Sequence, residues 1–356
     1  MSKLSPRIYA QSAIGNTHLA KHLPNQDSYH FWAAPDSHHF CVAISDGHGS
    51  SSHPHSDVGS SVAVSIATTL YQSFYQDNIK LLEPYKFFES ILQQWSSECN
   101  AHYKSNYPDS VASSSSILKL YGATLCVIYV CGDTISIASI GDSTVFFRNH
   151  TGLVSGFLVH DDSPGEATFS LCQASALSHL ESKHIGYSPG IIVASTDGVI
   201  KSLKTSDDYA LIADYYLNIT SGVDVDESKV NDDLSSQLQD FTVNGSGDDC
   251  SLALVLIPSP LSRRSLVDHS PESTHRQSIL SRLSLLDYNQ DKKKPLRHLP
   301  IVFLATPSIL LLLVFLILPI SHSFKNHLRF LMKSSLCTIS LDQSTLPHPI
   351  PLLNHQ

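Results

Sequence analysis

The stretch FCVAISDGHGS, residues 40–50, contains the pattern that decides the fold. Its first six residues are apolar or small, which is typical of a short buried strand, and Asp46-Gly47 is the kind of pair that ends a strand in a turn. Similar apolar runs with an adjacent aspartate recur along the first 257 residues. These are NQD at Asp27, IGDST at Asp142, STDGV at Asp197, and GDDCS at Asp248 and Asp249. The sequence therefore predicts several strands that begin or end at acidic turns.

Strand and helix patterns alternate in blocks around this stretch. The predicted strands are 29–32, 40–45, 121–131, 134–140, 144–148, 190–195 and 250–257. Apolar residues recur at helical spacing in 57–75 and again in 83–107, which predicts two long helices. The turns Gly132-Asp133 and Gly141-Asp142-Ser143 predict hairpins between successive strands. The pattern indicates an α+β domain of antiparallel sheets with helices packed on their faces.

The acidic turns also predict a metal site. Strand ends place their side chains at a sheet edge, where carboxylates from several strands can converge. Converging carboxylates repel one another unless cations lie between them, and hard oxygen ligands suit Mg²⁺ or Mn²⁺. A single Asp-Gly pair is ordinary turn chemistry, so the prediction depends on the whole set of turns. Gly47 would let its own carbonyl approach a metal.

The same residues resemble the metal-dependent protein phosphatases of the protein phosphatase 2C family. The bacterial branch, whose first motif is Gly-x-x-His followed by Gln-Asp, is the most similar. The motifs, in family order over residues 8–257, are Gly15-Asn16-Thr17-His18 with Asn25-Gln26-Asp27, Asp46-Gly47-His48-Gly49, Gly122-Ala123-Thr124 with Gly141-Asp142-Ser143, Ser195-Thr196-Asp197-Gly198, and Asp248-Asp249-Cys250-Ser251. One such motif is weak, whereas five in order are specific.

The resemblance implies a central β-sandwich of two antiparallel sheets flanked by helices, with two Mg²⁺ or Mn²⁺ ions at one edge. The implied metal ligands are Asp27, Asp46 as the bridging ligand, the carbonyl of Gly47, Asp197 and Asp248. The implied supporting residues are Gln26, Asp142 and Asp249. Either Asp27 or Gln26 would complete the shell, partly through water.

The activity implied by the resemblance is that of a protein serine/threonine phosphatase, a phosphoric monoester hydrolase that acts in signalling. A water that bridges the two metals, with its pKa lowered by them, would attack the phosphorus in line. His48 is the candidate general acid for the leaving alkoxide, and Asp46 holds the metals on which the step depends. The implied partners are proteins phosphorylated on serine or threonine, together with an opposing serine/threonine kinase.

Two positions depart from the family pattern. Many members have a phosphate-binding arginine in the first motif, and this chain has His22 at that place, with His18 four residues earlier. Either histidine could bind the phosphate, or the metals alone could do so. Lys201 stands where many members have an aspartate that helps Asp142 and Asp197 to bind a third metal. Because a charged lysine cannot do this, we expect two metals, with the Lys201 ammonium beside Asp142.

Charge and cysteine content exclude other classes of function. Residues 1–257 contain 12 basic and 27 acidic side chains, whereas residues 258–356 contain 11 and 5. The acidic body argues against nucleic acid as a partner. The seven cysteines form no CxxC pair, so they predict neither a zinc site nor a disulfide framework.

Residues 299–320, LPIVFLATPSILLLLVFLILPI, predict a transmembrane helix because this stretch is uncharged and long enough to cross a bilayer. The basic residues at 292–297 predict that the preceding part stays in the cytoplasm. The expected organisation is a catalytic domain at 1–257, a Ser/Arg-rich linker at 258–298, the span at 299–320 and a short tail at 321–356. The protein would then be a single-pass protein of the cell membrane.

Two other interpretations stay open. The departures at His22 and Lys201 allow a catalytically weak relative that acts as a membrane-anchored phosphoprotein-binding or regulatory module. The linker sequence Ser262-Arg263-Arg264-Ser265, which is similar to basophilic kinase sites, allows a tether that is regulated by phosphorylation.

Overall fold

Phe40–Ser45 forms a fully buried strand inside one of two five-stranded sheets. The structure, a computed structural model, describes residues 5–35, 37–79, 83–149, 152, 154–158, 168–203, 205, 208–220 and 225–258. The strands are β1 (Arg7–Ala13), β2 (Ser28–Ala33), β3 (Phe40–Ser45), β4 (Leu125–Cys131), β5 (Thr134–Ile140), β6 (Thr144–Asn149), β7 (Val154–Leu158), β8 (Glu181–Gly186), β9 (Gly190–Ser195) and β10 (Cys250–Ile257). One sheet has the order β1-β10-β9-β6-β7 and the other β2-β3-β4-β5-β8. Neighbouring strands are antiparallel throughout, which confirms the predicted pair of antiparallel sheets.

Helices cover the outer faces of both sheets. They are α1 (Asn16–Ala20), α2 (Ser56–Gln76), α3 (Pro84–Asn106), α4 (Ser114–Lys119), α5 (Asp197–Ile200), α6 (Asp208–Ile219) and α7 (Glu227–Asn244), with a 3-10 turn at Ala176–His179. The long helices α2 and α3 pack on the sheet that contains β3, whereas α6 and α7 pack on the sheet that contains β10. The helices predicted at 57–75 and 83–107 are therefore confirmed, as is the α+β class.

β3 decides the fold because both of its faces are buried. Val42 and Ile44 face the opposite sheet, where they join a core that includes Ile192 of β9. Cys41 and Ala43 alternate with them and join the core under α2. Full burial of a Val or Ile side chain contributes roughly 1.5–3 kcal/mol, so a strand that is apolar on both faces is fixed firmly between two layers.

α2 and α3 are held close to their sheet by a glycine and two hydrogen bonds. A Cβ at Gly59 would lie 2.1 Å from the carbonyl oxygen of Tyr121, so the α2 backbone can approach this loop only without a side chain. The buried Trp95 Nε1 donates to the carbonyl of Gly59 at 2.9 Å. The Tyr71 hydroxyl donates to the carbonyl of Val130 at 2.9 Å. These contacts join α3 to α2, and α2 to β4 and to the segment that precedes β4.

The turn at Gly141-Asp142-Ser143 does not form the predicted hairpin. β5 pairs with β4 and β8, whereas β6 pairs with β7 and β9 in the other sheet. The chain crosses between the sheets here through Gly141, which has a φ of 119°. The prediction was wrong because both strands are apolar, and an apolar pattern does not say which sheet a strand joins. The hairpin predicted at Gly132-Asp133 is confirmed.

The predicted membrane anchor cannot be compared with the structure. The linker after Pro258, the span at 299–320 and the tail at 321–356 lie outside the described residues. Among the helices that the structure describes, none combines the length and the apolar character that crossing a membrane requires. The six cysteines in the described part of the chain are free thiols.

Candidate active site

Three of the acidic turns meet at one edge of the sandwich. Asp46 follows β3, Asp142 lies in the crossover between β5 and β6, and Asp197 begins α5 directly after β9. One carboxylate oxygen from each residue lies within 4.8 Å of the others. The three side chains line an open cavity of about 390 Å³, together with Asp248 and His18. The fold thus brings together carboxylates that are far apart in the sequence.

Hydrogen bonds to neighbouring loops hold the Asp46 turn in place. The backbone N–H of Asp46 donates to Thr124 Oγ1 at 2.9 Å, and the N–H of Thr124 donates to the carbonyl of Asp46 at 2.8 Å. The N–H of Gly47 donates to the carbonyl of Gln26 at 3.1 Å. A Cβ at Gly47 would lie 2.7 Å from the carbonyl oxygens of Gln26 and Ser56, so this position requires glycine.

Asp46 lies in the field of the other carboxylates. Burial raises the pKa of Asp46 well above its usual range, and the negative charges of Asp197, Asp27, Asp248 and Asp142 raise it further. Both effects disfavour the ionised form. A divalent cation at this position would favour the ionised form of Asp46 instead, because the cation attracts every one of these carboxylates.

Asp27 is buried and hydrogen-bonded to the protein. Thr196 Oγ1 donates to Asp27 Oδ2 at 2.6 Å and accepts from the N–H of Ser251 at 3.0 Å. Burial raises the pKa of Asp27 well above its usual range, although the Thr196 hydrogen bond opposes the shift. Asp27 is absent from the described lining of the cavity, so the structure places its carboxylate in the protein interior, hydrogen-bonded to Thr196.

Asp248 is paired with a lysine at the cavity. Lys201 Nζ lies 3.6 Å from Asp248 Oδ2 and forms a closer ion pair with Asp197 Oδ2. The expected partner of Lys201 was Asp142, and that expectation is corrected: Lys201 follows Asp197 by one helical turn and so meets Asp197 first. Asp142 Oδ2 instead accepts from Thr168 Oγ1 at 2.7 Å.

Asp249 joins the first motif to the last strand. Its Oδ1 accepts from the N–H of Gly15 at 2.6 Å, and its Oδ2 accepts from the N–H of Gln26 at 2.6 Å and from His18 Nδ1 at 2.8 Å. The side chain is only 4% exposed. A Cβ at Gly15 would lie 2.4 Å from the carbonyl carbon of Asp248, so the two segments can pack this closely only through glycine. Asp249 thus positions the loop that contains His18 and Gln26.

The two histidines that were candidates for phosphate binding lie in different places. His18 is buried in α1 and lines the cavity, with its ring oriented by Asp249. His22 is exposed in the turn after α1, where its φ is 54°, and it is not among the described lining residues. The structure therefore places His18 at the site and does not place His22 there.

His48 lines the cavity beside a second histidine, His53. Their ring centroids are 5.0 Å apart, and His53 Nδ1 donates to the carbonyl of Lys119. Burial, together with His53, lowers the pKa of His48 to about 4. The His48 imidazole is therefore neutral at neutral pH and can offer one N–H proton to a leaving group.

Sequence reasoning missed three polar residues of the described cavity lining, Ser50, His53 and Thr168. His53 lies in the loop between the Asp46 motif and α2, where no periodic pattern points to it. The only available signal was the accumulation of histidines at 48, 53 and 55 after an acidic turn. The contact of Thr168 with Asp142 joins residues from separate loops, so no local pattern could have indicated it.

Comparison with known families shows which family the chain belongs to. The family model described as protein phosphatase 2C matches residues 14–239, which is more than half of the chain. The chain belongs to the protein phosphatase 2C family. It is accordingly a protein serine/threonine phosphatase, a hydrolase of phosphoric monoesters. No curated protein sequence matches it.

Solved structures of bacterial phosphatases are similar to this protein phosphatase 2C. The catalytic domain of serine/threonine phosphatase PstP, in complex with two manganese ions, is 18% identical, with 71% of this chain and 99% of that chain covered and a TM-score of 0.46. Serine/threonine phosphatase Stp1 from Staphylococcus aureus is 16% identical, with 73% and 98% covered and a TM-score of 0.46. PppA from Pseudomonas aeruginosa is 16% identical, with 72% and 99% covered and a TM-score of 0.45.

The donor set of this phosphatase fits Mg²⁺ or Mn²⁺, the cofactors of the family. The converging ligand atoms are carboxylate oxygens, which hard divalent cations prefer. Within the described part of the chain, Asp142 Oδ1 and Gln26 Oε1 are buried without a hydrogen-bond partner. An unpartnered buried acceptor costs roughly 1–3 kcal/mol, and a cation close to these oxygens would remove that cost.

Proposed function

We propose that this phosphatase hydrolyses phosphoserine and phosphothreonine in proteins with two divalent cations and a water that bridges them, while tethered to a membrane. The observation that supports the catalytic part is the convergence of Asp46, Asp142 and Asp197 within 4.8 Å at one edge of the sandwich. Because the aspartates that would hold two cations are all present, we favour the active enzyme over a catalytically weak binding module.

Asp46 and the carbonyl of Gly47 would hold one cation, and Asp197 and Asp248 would hold the other, with Asp46 as the ligand that both share. Asp27 or Gln26 would complete the shell, and the buried, unpartnered Gln26 Oε1 is available for this purpose. When bound, the cations would lower the pKa of a water and offset the charge on the phosphoryl oxygens. We propose Mg²⁺ or Mn²⁺ and leave the choice between them to measurement.

His18 is the side chain that we propose for binding the substrate phosphate. Asp249 accepts from Nδ1, so Nε2 is the nitrogen left for a ligand. A Cβ at the neighbouring Gly49 would lie 3.3 Å from Nε2, so glycine keeps space open beside this atom. With a proton on each ring nitrogen, Nδ1 would donate to Asp249 while Nε2 donates to a phosphate oxygen.

His48 is the residue that we propose as proton donor to the leaving serine or threonine oxygen. It lines the cavity two residues after Asp46, which puts it near the substrate side of the cations. Burial keeps the His48 ring neutral, so the proton would come from a neutral N–H group. This N–H would first donate a hydrogen bond to the developing alkoxide and so stabilise it. His53 is beside it and offers a route by which the proton could be replaced.

We propose two cations per site and not three. The Lys201 ammonium lies against Asp197, one of the two aspartates that a third metal would need. Anomalous scattering from crystals soaked in Mn²⁺ should locate two peaks near Asp46. A third peak at Asp142 would contradict this proposal.

The membrane tether is proposed from the sequence. The uncharged stretch 299–320 and the basic residues 292–297 support a single span with the phosphatase domain in the cytoplasm. An opposing serine/threonine kinase and its phosphorylated substrates would be the partners there. Membrane fractionation of the full chain and of a variant that lacks 299–320 tests the tether, because only the full chain should sediment with membranes.

The test of the activity uses the full chain in detergent with p-nitrophenyl phosphate and a phosphothreonine peptide. We expect hydrolysis that requires Mn²⁺ or Mg²⁺ and falls at least about a hundredfold in Asp46→Asn, because the cations would lose a charged ligand. Asp77→Asn, at the exposed end of α2, is the matched control and should retain full activity. Absence of turnover, or turnover unchanged in Asp46→Asn, would contradict the proposed function.

A further inference from the structure

Lys201 is a cation built into the carboxylate cluster. Its Nζ forms an ion pair with Asp197 Oδ2 and lies 3.6 Å from Asp248 Oδ2. Among the described residues that line the cavity, it is the one lysine or arginine. The helical turn of α5 places it there, because Asp197 begins the helix and Lys201 follows four residues later.

The lysine stays charged in this position. Burial disfavours its ammonium form, but the carboxylates of Asp197, Asp248 and Asp46 outweigh burial and raise the pKa of Lys201. The side chain is nevertheless 35% exposed, so a long flexible stem can carry the ammonium out into solvent. The cluster therefore has a positive charge that is bound but removable.

The two carboxylates that pair with Lys201 come from the same side of the sandwich. Asp197 and Asp248 are the carboxylates from the β9–β10 side of the sandwich, and they are the pair proposed to hold one cation in common. Asp46, on the β3 side, has no ion pair with Lys201 among the described contacts, although it lies within the reach of its charge. The ammonium thus covers one half of the proposed two-cation centre and leaves the other half open.

We propose that Lys201 competes with one of the two divalent cations, so that the two sites fill unequally. This inference depends on the proposed two-cation centre. The cation held mainly by Asp46 and Gly47 binds first. The cation held by Asp197 and Asp248 binds only when it displaces the ammonium. The consequence is an enzyme that needs a higher concentration of Mn²⁺ for its second cation than for its first.

The test is a Mn²⁺ titration of the chelator-treated full chain in detergent. Binding is measured by calorimetry and by the electron paramagnetic resonance signal of free Mn²⁺. We expect two phases for the wild type. Lys201→Met keeps the length of the side chain without its charge and should tighten the weaker phase at least about tenfold. Lys201→Arg keeps the charge and should bind like the wild type. Lys229→Met removes an exposed lysine that pairs with Asp226 and is not among the described lining residues of the cavity, and it should change nothing.

A second readout needs no cation. In chelator, Lys201→Met should unfold at a lower temperature than the wild type, because Asp197 and Asp248 lose the charge that offsets their repulsion. Saturating Mn²⁺ should close this difference. Lys229→Met again serves as the control.

The outcomes separate this inference from the proposed function. Equal Mn²⁺ affinities in the wild type and Lys201→Met, or tightening in Lys201→Arg as well, would overturn the competition while the metal centre stands. No Mn²⁺ binding by any variant would overturn both. If Lys201→Met does not fold, wild-type crystals soaked in rising Mn²⁺ decide the question. Anomalous density should appear near Asp46 before it appears between Asp197 and Asp248, and simultaneous appearance would overturn the inference.

Discussion

The adjacent residues Asp248 and Asp249 should respond differently to the same substitution, one mainly in cation binding and the other in stability. Asp249 is 4% exposed and accepts three hydrogen bonds, two of them on Oδ2 from the N–H of Gln26 and from His18 Nδ1. Asparagine keeps one accepting oxygen, so Asp249→Asn leaves these two donors facing an amide nitrogen. Hydrogen bonds to a charged acceptor contribute about 1.5–3 kcal/mol each, which gives a loss of about 3–6 kcal/mol.

A compensating effect reduces this loss. The charge of Asp249 is one of the causes that raise the pKa of Asp27, so its removal relieves repulsion between the two residues. We therefore expect a net loss of about 2–4 kcal/mol in the free energy of unfolding. For a domain of this size, that corresponds to a fall in Tm of about 5–15 °C.

Asp248→Asn provides the comparison. The Asp248 side chain is 42% exposed and 3.6 Å from Lys201, so the loss of this contact should cost under about 1 kcal/mol. Its expected effect is on cation binding, with Mn²⁺ affinity reduced at least about tenfold because a charged oxygen ligand is lost.

Tryptophan fluorescence, excited at a wavelength that tyrosine does not absorb, measures the unfolding of both variants in the full chain. The protein has two tryptophans, Trp32 in β2 and Trp95 in α3, so the signal reports on the sandwich and its helices alone. Thermal unfolding with and without Mn²⁺ then gives both quantities. Equal destabilisation of the two variants, or a loss below about 1 kcal/mol for Asp249→Asn, would refute the assignment of Asp249 as a positioning residue.

Three further predictions concern pH, packing and substrate binding. The folded state raises the pKa values of Asp27 and Asp46, so above about pH 4 the folded chain binds more protons than the unfolded chain. Without metal, its free energy of unfolding should therefore fall as pH rises. Mn²⁺ binds the ionised carboxylates, so the gain in Tm on adding Mn²⁺ should be larger at pH 8 than at pH 5; a larger gain at pH 5 would contradict this. Gly59→Ala should lower the free energy of unfolding by about 1–3 kcal/mol or more, measured by thermal unfolding, because its Cβ would lie 2.1 Å from a carbonyl oxygen. His18→Ala should reduce kcat/KM for a phosphothreonine peptide at least about tenfold, whereas substitution of the exposed His22 by alanine should change it by less than about twofold. A larger effect of His22→Ala than of His18→Ala would show that His22, and not His18, binds the phosphate.

The sequence predicted those strands that are buried on both faces. β3, β9 and β10 consist almost entirely of apolar or small residues, so their bounds are confirmed to the residue. β1, β7 and β8 were missed, and each of them is an edge strand that lies next to only one other strand. β1 and β8 are partly or largely exposed, so no apolar run identifies them. The edge strand β2 was predicted at 29–32, where aromatic residues stand out in the sequence.

The sequence also predicted which aspartates follow strand ends, because that is a local property. It did not predict the partners of these residues. The hydrogen bonds of Asp249 to Gly15, Gln26 and His18 join positions more than 220 residues apart, and the contact of Thr168 with Asp142 crosses between loops. The spacing of Lys201 four residues after Asp197 was in the sequence, and helical geometry would have indicated this pair if α5 had been predicted there.

The crossover at Asp142 has a mechanical consequence. The carboxylates divide between the layers: Asp27 and Asp46 belong to the sheet that contains β3, Asp197 and Asp248 to the sheet that contains β10, and Asp142 to the segment that connects them. Any ion shared by these groups would act as a crosslink between the two halves of the sandwich. We expect removal of divalent ions to let the sheets separate first at this edge, so that protease should cut the β5–β6 connection before it cuts the opposite end of the sandwich.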